Sequence, residues 1–161
     1  MEFYQVTSVS DFSTYFQLKC QNDAVLWSGF YSKPDEQVLY NHFVNKILKS
    51  DNTIIYYLKD NDSVVGYVQA TIINAEEVEF SATNIFSRFQ GQGYLQDMTE
   101  LFLDEMRNKR FKRVIGWASE KNMPAIFNLR INEFHKTEEF EIRSMPLLGG
   151  EHRFFKWIKV L

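Results

Sequence analysis

Residues 85–95 read Ile85-Phe86-Ser87-Arg88-Phe89-Gln90-Gly91-Gln92-Gly93-Tyr94-Leu95, and this stretch decides the fold. It ends a strand-like run over residues 77–86 and precedes apolar residues at helical spacing. Glycine allows a tight turn there and lets a ligand approach the backbone N–H groups closely. The N-terminus of the next helix attracts anions such as phosphate. The stretch therefore predicts a strand, a turn and a helix with a candidate anion site, although the glycines alone fit a plain turn equally well.

The pattern around this turn predicts a mixed sheet. A strand over 77–86, a helix after Gly93 and a short apolar strand over 114–118 form a crossover unit, which requires parallel strands. Other strands are predicted near residues 2–6, 53–58, 64–72, 140–144 and 153–160. Three helices are predicted: one with Ser10 as its N-cap, one after Pro34 and one after Pro124. Residues 24–31 are predicted to be irregular. The order β-α-α-β-β-β-α-β-α-β-β predicts the α/β class.

Composition excludes several classes of function. The 161 residues include no Gly/Ser-rich linker, so we expect a single domain over residues 1–161. The net charge of −3 disfavours a nucleic-acid partner. A single cysteine and three histidines without ligand spacing give no reason to expect a metal site. The sequence has no apolar run long enough to span a membrane and no leader pattern, so we expect a cytoplasmic protein that does not associate with membranes. We expect it to be a monomer or a homodimer.

Two familiar phosphate-binding loops do not match the stretch. A dinucleotide-binding turn needs a third glycine where Gln96 stands, and a P-loop needs Gly-Lys-Ser/Thr, which is absent. The stretch instead resembles motif A of the GNAT N-acetyltransferase superfamily, Gln/Arg-x-x-Gly-x-Gly/Ala. One register begins at Arg88 and fits literally. A second begins at Gln90 and also matches the family's aromatic residues at Phe89 and Tyr94, but it places Leu95 where a small residue is usual.

The resemblance extends beyond this motif. Residues 122–134, from Asn122-Met123-Pro124-Ala125 to Glu133-Phe134, are similar to the family's Asn-x-x-Ala…Gly-Phe segment, and the element order agrees along nearly the whole chain. The resemblance implies an acyltransferase that moves an acetyl group from acetyl-CoA to a primary amine by direct attack. It also implies a mostly antiparallel central sheet flanked by helices, in which the parallel fourth and fifth strands splay apart to form the acyl-CoA cleft.

The resemblance also assigns the binding residues. It implies that the pantetheine arm is held by main-chain groups of Ile85, Phe86 and Ser87, and that Asn122 faces the cofactor. The pyrophosphate would be held by backbone amides of Gln90, Gly91, Gln92, Gly93, Tyr94 and Leu95. The aromatic residues Trp27, Phe30 and Tyr31 would border the acceptor pocket, from a loop between the first two helices, although core packing is expected for at least one of them.

Catalysis needs a base for the amine, and Glu79 on the fourth strand is the candidate. Strand alternation would place Glu79, Ser81, Thr83 and Ile85 on one face, and a solvated carboxylate is an equally good reading of Glu79. The family's proton-donating tyrosine would fall at Leu129. Ser119 or a water molecule is then the candidate proton donor to the leaving thiolate, or the thiolate leaves without a donor. Ser119 could equally serve only to cap a turn. An inactive acyl-CoA-binding module is the alternative function, and a nucleotide-binding protein is a third, weaker one.

Overall fold

The computed structural model describes residues 1–161 and contains seven strands in one sheet. The strands are β1 (Glu2–Gln5), β2 (Thr53–Asp60), β3 (Ser63–Ile72), β4 (Glu77–Ile85), β5 (Arg113–Ser119), β6 (His135–Ser144) and β7 (Glu151–Val160). Their order across the sheet is β1-β2-β3-β4-β5-β7-β6. Every neighbouring pair is antiparallel except β4 and β5, which are parallel. The predicted fold class is confirmed.

Five helices flank the sheet: α1 (Phe12–Lys19), α2 (Asn22–Trp27), α3 (Glu36–His42), α4 (Tyr94–Asn108) and α5 (Met123–Ile131). A π-helical segment, Phe43–Leu48, continues α3. The irregular reading of residues 24–31 is wrong in its first half, because α2 forms there. A helix this short depends on burial of its apolar residues, here Ala24 and Val25, more than on local propensity.

The predicted N-cap of the first helix is also wrong. The Ser8 hydroxyl accepts the Ser10 N–H at 3.2 Å and starts a 3₁₀ turn at Val9–Asp11, which leads into α1. Ser10 is therefore the donor in this cap. Either serine can cap a helix, so the choice between them depends on where the chain turns.

Aromatic residues fill the cores on both faces of the sheet. On the face covered by α4 and α5, the Phe80 ring of β4 lies 5.0 Å from that of Phe102 in α4. On the face covered by α1 and α3, the Tyr15 and Phe43 rings lie 5.1 Å apart above the sheet. Both clusters are nearly free of solvent. The high aromatic content therefore serves packing in large part.

A β-bulge at Ser81 changes the faces of β4. Gln69 of β3 pairs with Ala82, whereas the next residue, Ala70, pairs with Phe80, so Ser81 is an extra residue. Phe80 before the bulge and Ile85 after it both join the core under α4, while Ala82 packs in the opposite core. The prediction that Glu79 and Ile85 share a face is therefore wrong. Glu79 lies on the face of Ala82, the face covered by α1 and α3.

The parallel pair separates early. β4 and β5 pair only from Glu77 with Arg113 to Phe80 with Gly116, although both strands continue beyond this point. The unpaired ends of the two strands leave a wedge-shaped cleft between them, as the splayed arrangement predicts. No helix of this chain is long and apolar enough to cross a membrane.

Candidate active site

A row of unpaired backbone N–H groups lies beside the cleft. None of the N–H groups of residues 91–96 has an acceptor within the protein, because the first helical hydrogen bond of α4 is donated by Asp97 to Gly93. Gly91 and Gly93 have φ values of +74° and +88°, which disfavour any residue with a side chain. A Cβ atom at either glycine would meet nothing within 4 Å, so the turn is not packed against other residues on that side. The turn has the donors that bind a phosphate group.

The row of unpaired N–H groups is offset by one residue from the predicted pyrophosphate-binding residues. The Gln90 N–H donates to the Ser87 carbonyl at 3.3 Å and is not free, whereas the Gln96 N–H is free. Leu95, which is bulky for its place in the motif, packs against the core under α4. Tyr94 is fixed at the start of α4 by a hydrogen bond from its hydroxyl to Asp60 at 2.5 Å. The bulk of Leu95 therefore does not fill the turn.

The end of β4 presents its main chain to the cleft at Ile85. The Phe86 N–H donates to Val65 of β3 at 2.9 Å, and strand alternation then directs the N–H and C=O of Ile85 away from β3. The Phe86 carbonyl accepts the Phe89 N–H, so Phe86 has no free main-chain group. The Ser87 N–H is bound by the side chain of Gln21. Of the three residues predicted to hold pantetheine, Ile85 directs its main chain away from β3, Phe86 has no free main-chain group, and Ser87 has its N–H bound by Gln21.

Glu79 lies where the two strands begin to separate. It is paired with Ile115 of β5, one residue before the last pair. Its side chain is half-buried, and its Oε2 atom accepts a hydrogen bond from the Ser81 hydroxyl at 3.0 Å. The Ser81 hydroxyl also lies 2.5 Å from Oγ1 of Thr71 on β3. A carboxylate therefore stands beside the last paired residues of the two strands.

The neighbouring carboxylates differ from Glu79 in having cationic partners. Glu76 is bound to Lys112 and Arg113 at 3.1 Å, and these hydrogen bonds hold the pKa of Glu76 below its ordinary value. Glu77 is bound to Arg113 at 3.4 Å. Glu79 has no ion-pair partner within the protein. Among these three carboxylates it is the one without a cationic partner.

Ser119 is completely buried at the end of β5. Its hydroxyl accepts the Lys121 N–H at 3.2 Å and lies 3.4 Å from Nδ1 of His152. These contacts favour the turn-capping reading of Ser119. Leu129 is also buried, with its side chain against Gly116, so no hydroxyl stands at the position of the family tyrosine. His152 is buried, and its contact with Ser119 could not be predicted from the sequence because the two residues lie 33 positions apart.

The remaining predicted site residues are Asn122, Trp27, Phe30 and Tyr31. Asn122 caps α5, with its Oδ1 accepting the Ala125 N–H at 3.4 Å. Trp27 is the last residue of α2, and its ring lies 6.1 Å from that of His152. Phe30 is half-buried, whereas Tyr31 is 83% exposed. Trp27 and Phe30 are therefore better placed than Tyr31 to line a pocket.

Comparison with known families identifies this arrangement. The sequence model of the acetyltransferase (GNAT) family matches residues 20–131, which contain β4, the turn, α4, β5 and α5. The chain belongs to the GNAT acetyltransferase family. The predicted resemblance is thereby confirmed. No curated protein sequence matches this GNAT chain.

Solved structures share the whole fold of this GNAT protein. An acetyltransferase of Salmonella typhimurium that modifies the N-terminal serine of a 50S ribosomal subunit protein has 18% identity and a TM-score of 0.78, over 99% of this chain and 95% of that one. A mutant spermidine N-acetyltransferase of Vibrio cholerae has 16% identity and a TM-score of 0.81, over 99% and 95%. An N-acetyltransferase of Thermoplasma acidophilum in complex with coenzyme A has 12% identity and a TM-score of 0.69, over 97% and 98%. At these identities the likeness establishes the fold.

Proposed function

We propose that this chain is an N-acetyltransferase that moves an acetyl group from acetyl-CoA to a primary amine. The observation that carries the proposal is the row of unpaired N–H groups at residues 91–96, beside a cleft open between β4 and β5. The similar protein from Thermoplasma acidophilum was solved with coenzyme A, which supports this choice of ligand. We also propose that residues 1–161 act as one catalytic unit.

Binding of the donor would use main-chain groups more than charge. The diphosphate of coenzyme A is an anion, and the amides of residues 91–96 together with the dipole of α4 stabilise an anion without lysine or arginine. This explains how a chain of net charge −3 could take an anionic substrate. The pantetheine arm would lie along the edge of β4 at Ile85, and Asn122, the N-cap of α5, would face it from beyond the end of β5.

Glu79 is proposed as the general base. The amine nitrogen attacks the thioester carbonyl carbon, a C–N bond forms, the C–S bond breaks, and the ammonium proton passes to the Glu79 carboxylate directly or through one water. The N–H group of Ile85, at the end of β4, would stabilise the negative charge on the carbonyl oxygen. Because Ser119 is fully buried, the thiolate would leave unprotonated and take its proton from water.

The acceptor is proposed to be a primary amine that enters beside Trp27 and Phe30. Similar proteins act on the N-terminal serine of a ribosomal protein and on spermidine, which shows that this fold accepts both protein and small-molecule amines. The class of primary-amine acceptors includes amino acids, polyamines, amino sugars, antibiotics and protein N-termini. The cytoplasmic location and the monomeric or homodimeric state stay predictions.

One observation favours a second candidate, an acyl-CoA-binding module without activity. Leu129 stands at the position of the family's proton donor and packs into the core, so it has no chemical role. Such a module would keep the turn and the cleft and would not transfer the acyl group.

Thiol release separates the two candidates. The protein is incubated with acetyl-CoA and a panel of primary amines, and free thiol is measured against a reaction without amine. Amine-dependent release supports the transferase, whereas binding without release supports the module. Thermal-shift titrations with coenzyme A, ATP and NAD test binding separately, because a ligand of the folded state raises the melting temperature. No shift with coenzyme A would overturn both candidates.

A further inference from the structure

The side chain of Gln21 is bound to the end of β4 by both halves of its carboxamide. Its Oε1 atom accepts the Ser87 N–H at 2.8 Å and lies 3.1 Å from the Ser87 hydroxyl. Its Nε2 atom donates to the Ile85 carbonyl at 3.2 Å and to Oδ1 of Asn84. Gln21 directly precedes α2, so these bonds tie that helix to the mouth of the cleft.

A second side-chain contact joins the same two regions. Nε2 of Gln90 donates to Oδ2 of Asp23 in α2 at 3.0 Å and to the Ile85 carbonyl at 3.0 Å. The start of α2 is therefore tied to β4 and to the turn that precedes α4. The Ile85 carbonyl is occupied by two carboxamides, although strand alternation directs it into the cleft.

The chemistry of these bonds matches that of an amide-containing ligand. A carboxamide offers one carbonyl acceptor and an N–H donor, as a peptide-like amide does. The pantetheine arm of coenzyme A carries two secondary amides and needs the same kind of partner on an open strand edge. The Ile85 carbonyl and the Ser87 N–H can form hydrogen bonds with Gln21 or with a ligand amide, but not fully with both at once.

We propose that Gln21 is a latch whose carboxamide occupies the groups at Ile85 and Ser87 and must leave before the pantetheine arm binds. The inference rests on the proposed function, because it assumes acyl-CoA in this cleft. It assigns Gln21 a regulatory role, in which closing the latch lowers the affinity for acyl-CoA. It also makes α2 the element that moves when the donor enters.

The test is the dissociation constant for two ligands, measured by isothermal titration calorimetry. Coenzyme A carries the pantetheine arm, whereas ADP carries the diphosphate without it. The variants are Gln21→Met, which keeps the length of the side chain, and Gln21→Ala. Gln21 makes no side-chain cap hydrogen bond to α2, so neither variant removes a helix cap. Gln17→Ala is the matched control, because Gln17 is exposed on α1 and makes no side-chain hydrogen bond.

We expect both Gln21 variants to bind coenzyme A about tenfold more tightly than the wild type. This factor corresponds to the net free energy of one to two hydrogen bonds, which the wild type must break when Gln21 leaves and the variants do not have. Their affinity for ADP, and both affinities of the Gln17→Ala control, should not change. Unchanged or weaker binding of coenzyme A by both variants overturns the latch and leaves the proposed function standing. An equal gain for ADP also overturns it, since the gain would not depend on the arm. Failure of wild type and variants alike to bind coenzyme A overturns the proposed function, and the latch with it.

Discussion

Gly66 of β3 is the position where the structure predicts the largest effect of a single methyl group. A Cβ atom there would lie 2.5 Å from the Asn84 carbonyl oxygen and 2.6 Å from Cδ1 of Ile85. Contacts below 3.0 Å do not occur for real Cβ atoms, so the backbone of Asn84 must retreat by at least the difference between 2.5 and 3.0 Å. Asn84 is fixed in the β3–β4 ladder and cannot retreat cheaply.

The expected cost of Gly66→Ala is about 2 kcal/mol in the free energy of unfolding. Overpacking a core typically costs about 1–3 kcal/mol, and a clash with a backbone atom belongs at the upper end of that range, while the stiffer unfolded chain offsets about 0.4–1 kcal/mol of it. Urea denaturation followed by circular dichroism measures the loss as a lower midpoint at an unchanged slope. The same displacement moves the Ile85 main chain at the cleft, so the affinity for coenzyme A should fall as well.

Gly116→Ala is the matched control in the neighbouring part of the sheet. A Cβ at Gly116 would lie 3.0 Å from Cδ2 of Leu129, the end of a flexible side chain that can turn aside. We expect a change of less than about 1 kcal/mol. If Gly66→Ala proves as stable as Gly116→Ala, the close approach of β3 and β4 at the cleft is wrong.

Three further predictions concern the base, a helix cap and the buried phenols. Glu79→Gln should lower amine-dependent thiol release at least about 100-fold without weakening coenzyme A binding. Glu76→Gln should leave thiol release unchanged. If Glu79→Gln retains turnover, Glu79 is not the general base. Asn122→Ala should lower the free energy of unfolding by about 1 kcal/mol through loss of the α5 cap, and Asn122→Asp should keep it; equal loss in both would contradict a capping role. Burial raises the pKa of Tyr15 to about 12, so its phenol binds a proton in the folded state at pH values where the unfolded state has lost it. The free energy of unfolding should therefore fall between about pH 10 and 12 in urea titrations, and a phenolate absorbance that rises fully near pH 10 in the folded protein would contradict the burial.

Much of this fold could be predicted because its signals are local. The glycines of residues 91–93, the crossover after β4 and the helical spacing of α4 each lie within a short stretch of sequence. They were sufficient to predict the parallel pair and the glycine turn that leads into α4. The family resemblance then supplied the ligand.

The features that sequence reasoning missed depend on distant contacts. The bulge at Ser81 follows from how β4 aligns with β3, and it reversed the faces predicted for the end of β4. The bonds of Gln21 reach residues more than 60 positions away, and the partner of His152 lies 33 positions away. No local pattern encodes either contact.

The most direct test of the account is an NMR titration of the ¹⁵N-labelled protein with coenzyme A. We expect the amide signals of residues 91–96 to shift most, with Gly91 and Gly93 as readily recognised glycines, because their N–H groups gain an acceptor that the protein does not supply. A separate titration with ADP should move the same amides and leave that of Ile85 in place. If coenzyme A binds while the signals of residues 91–96 stay unchanged, the phosphate-binding role of this turn is wrong.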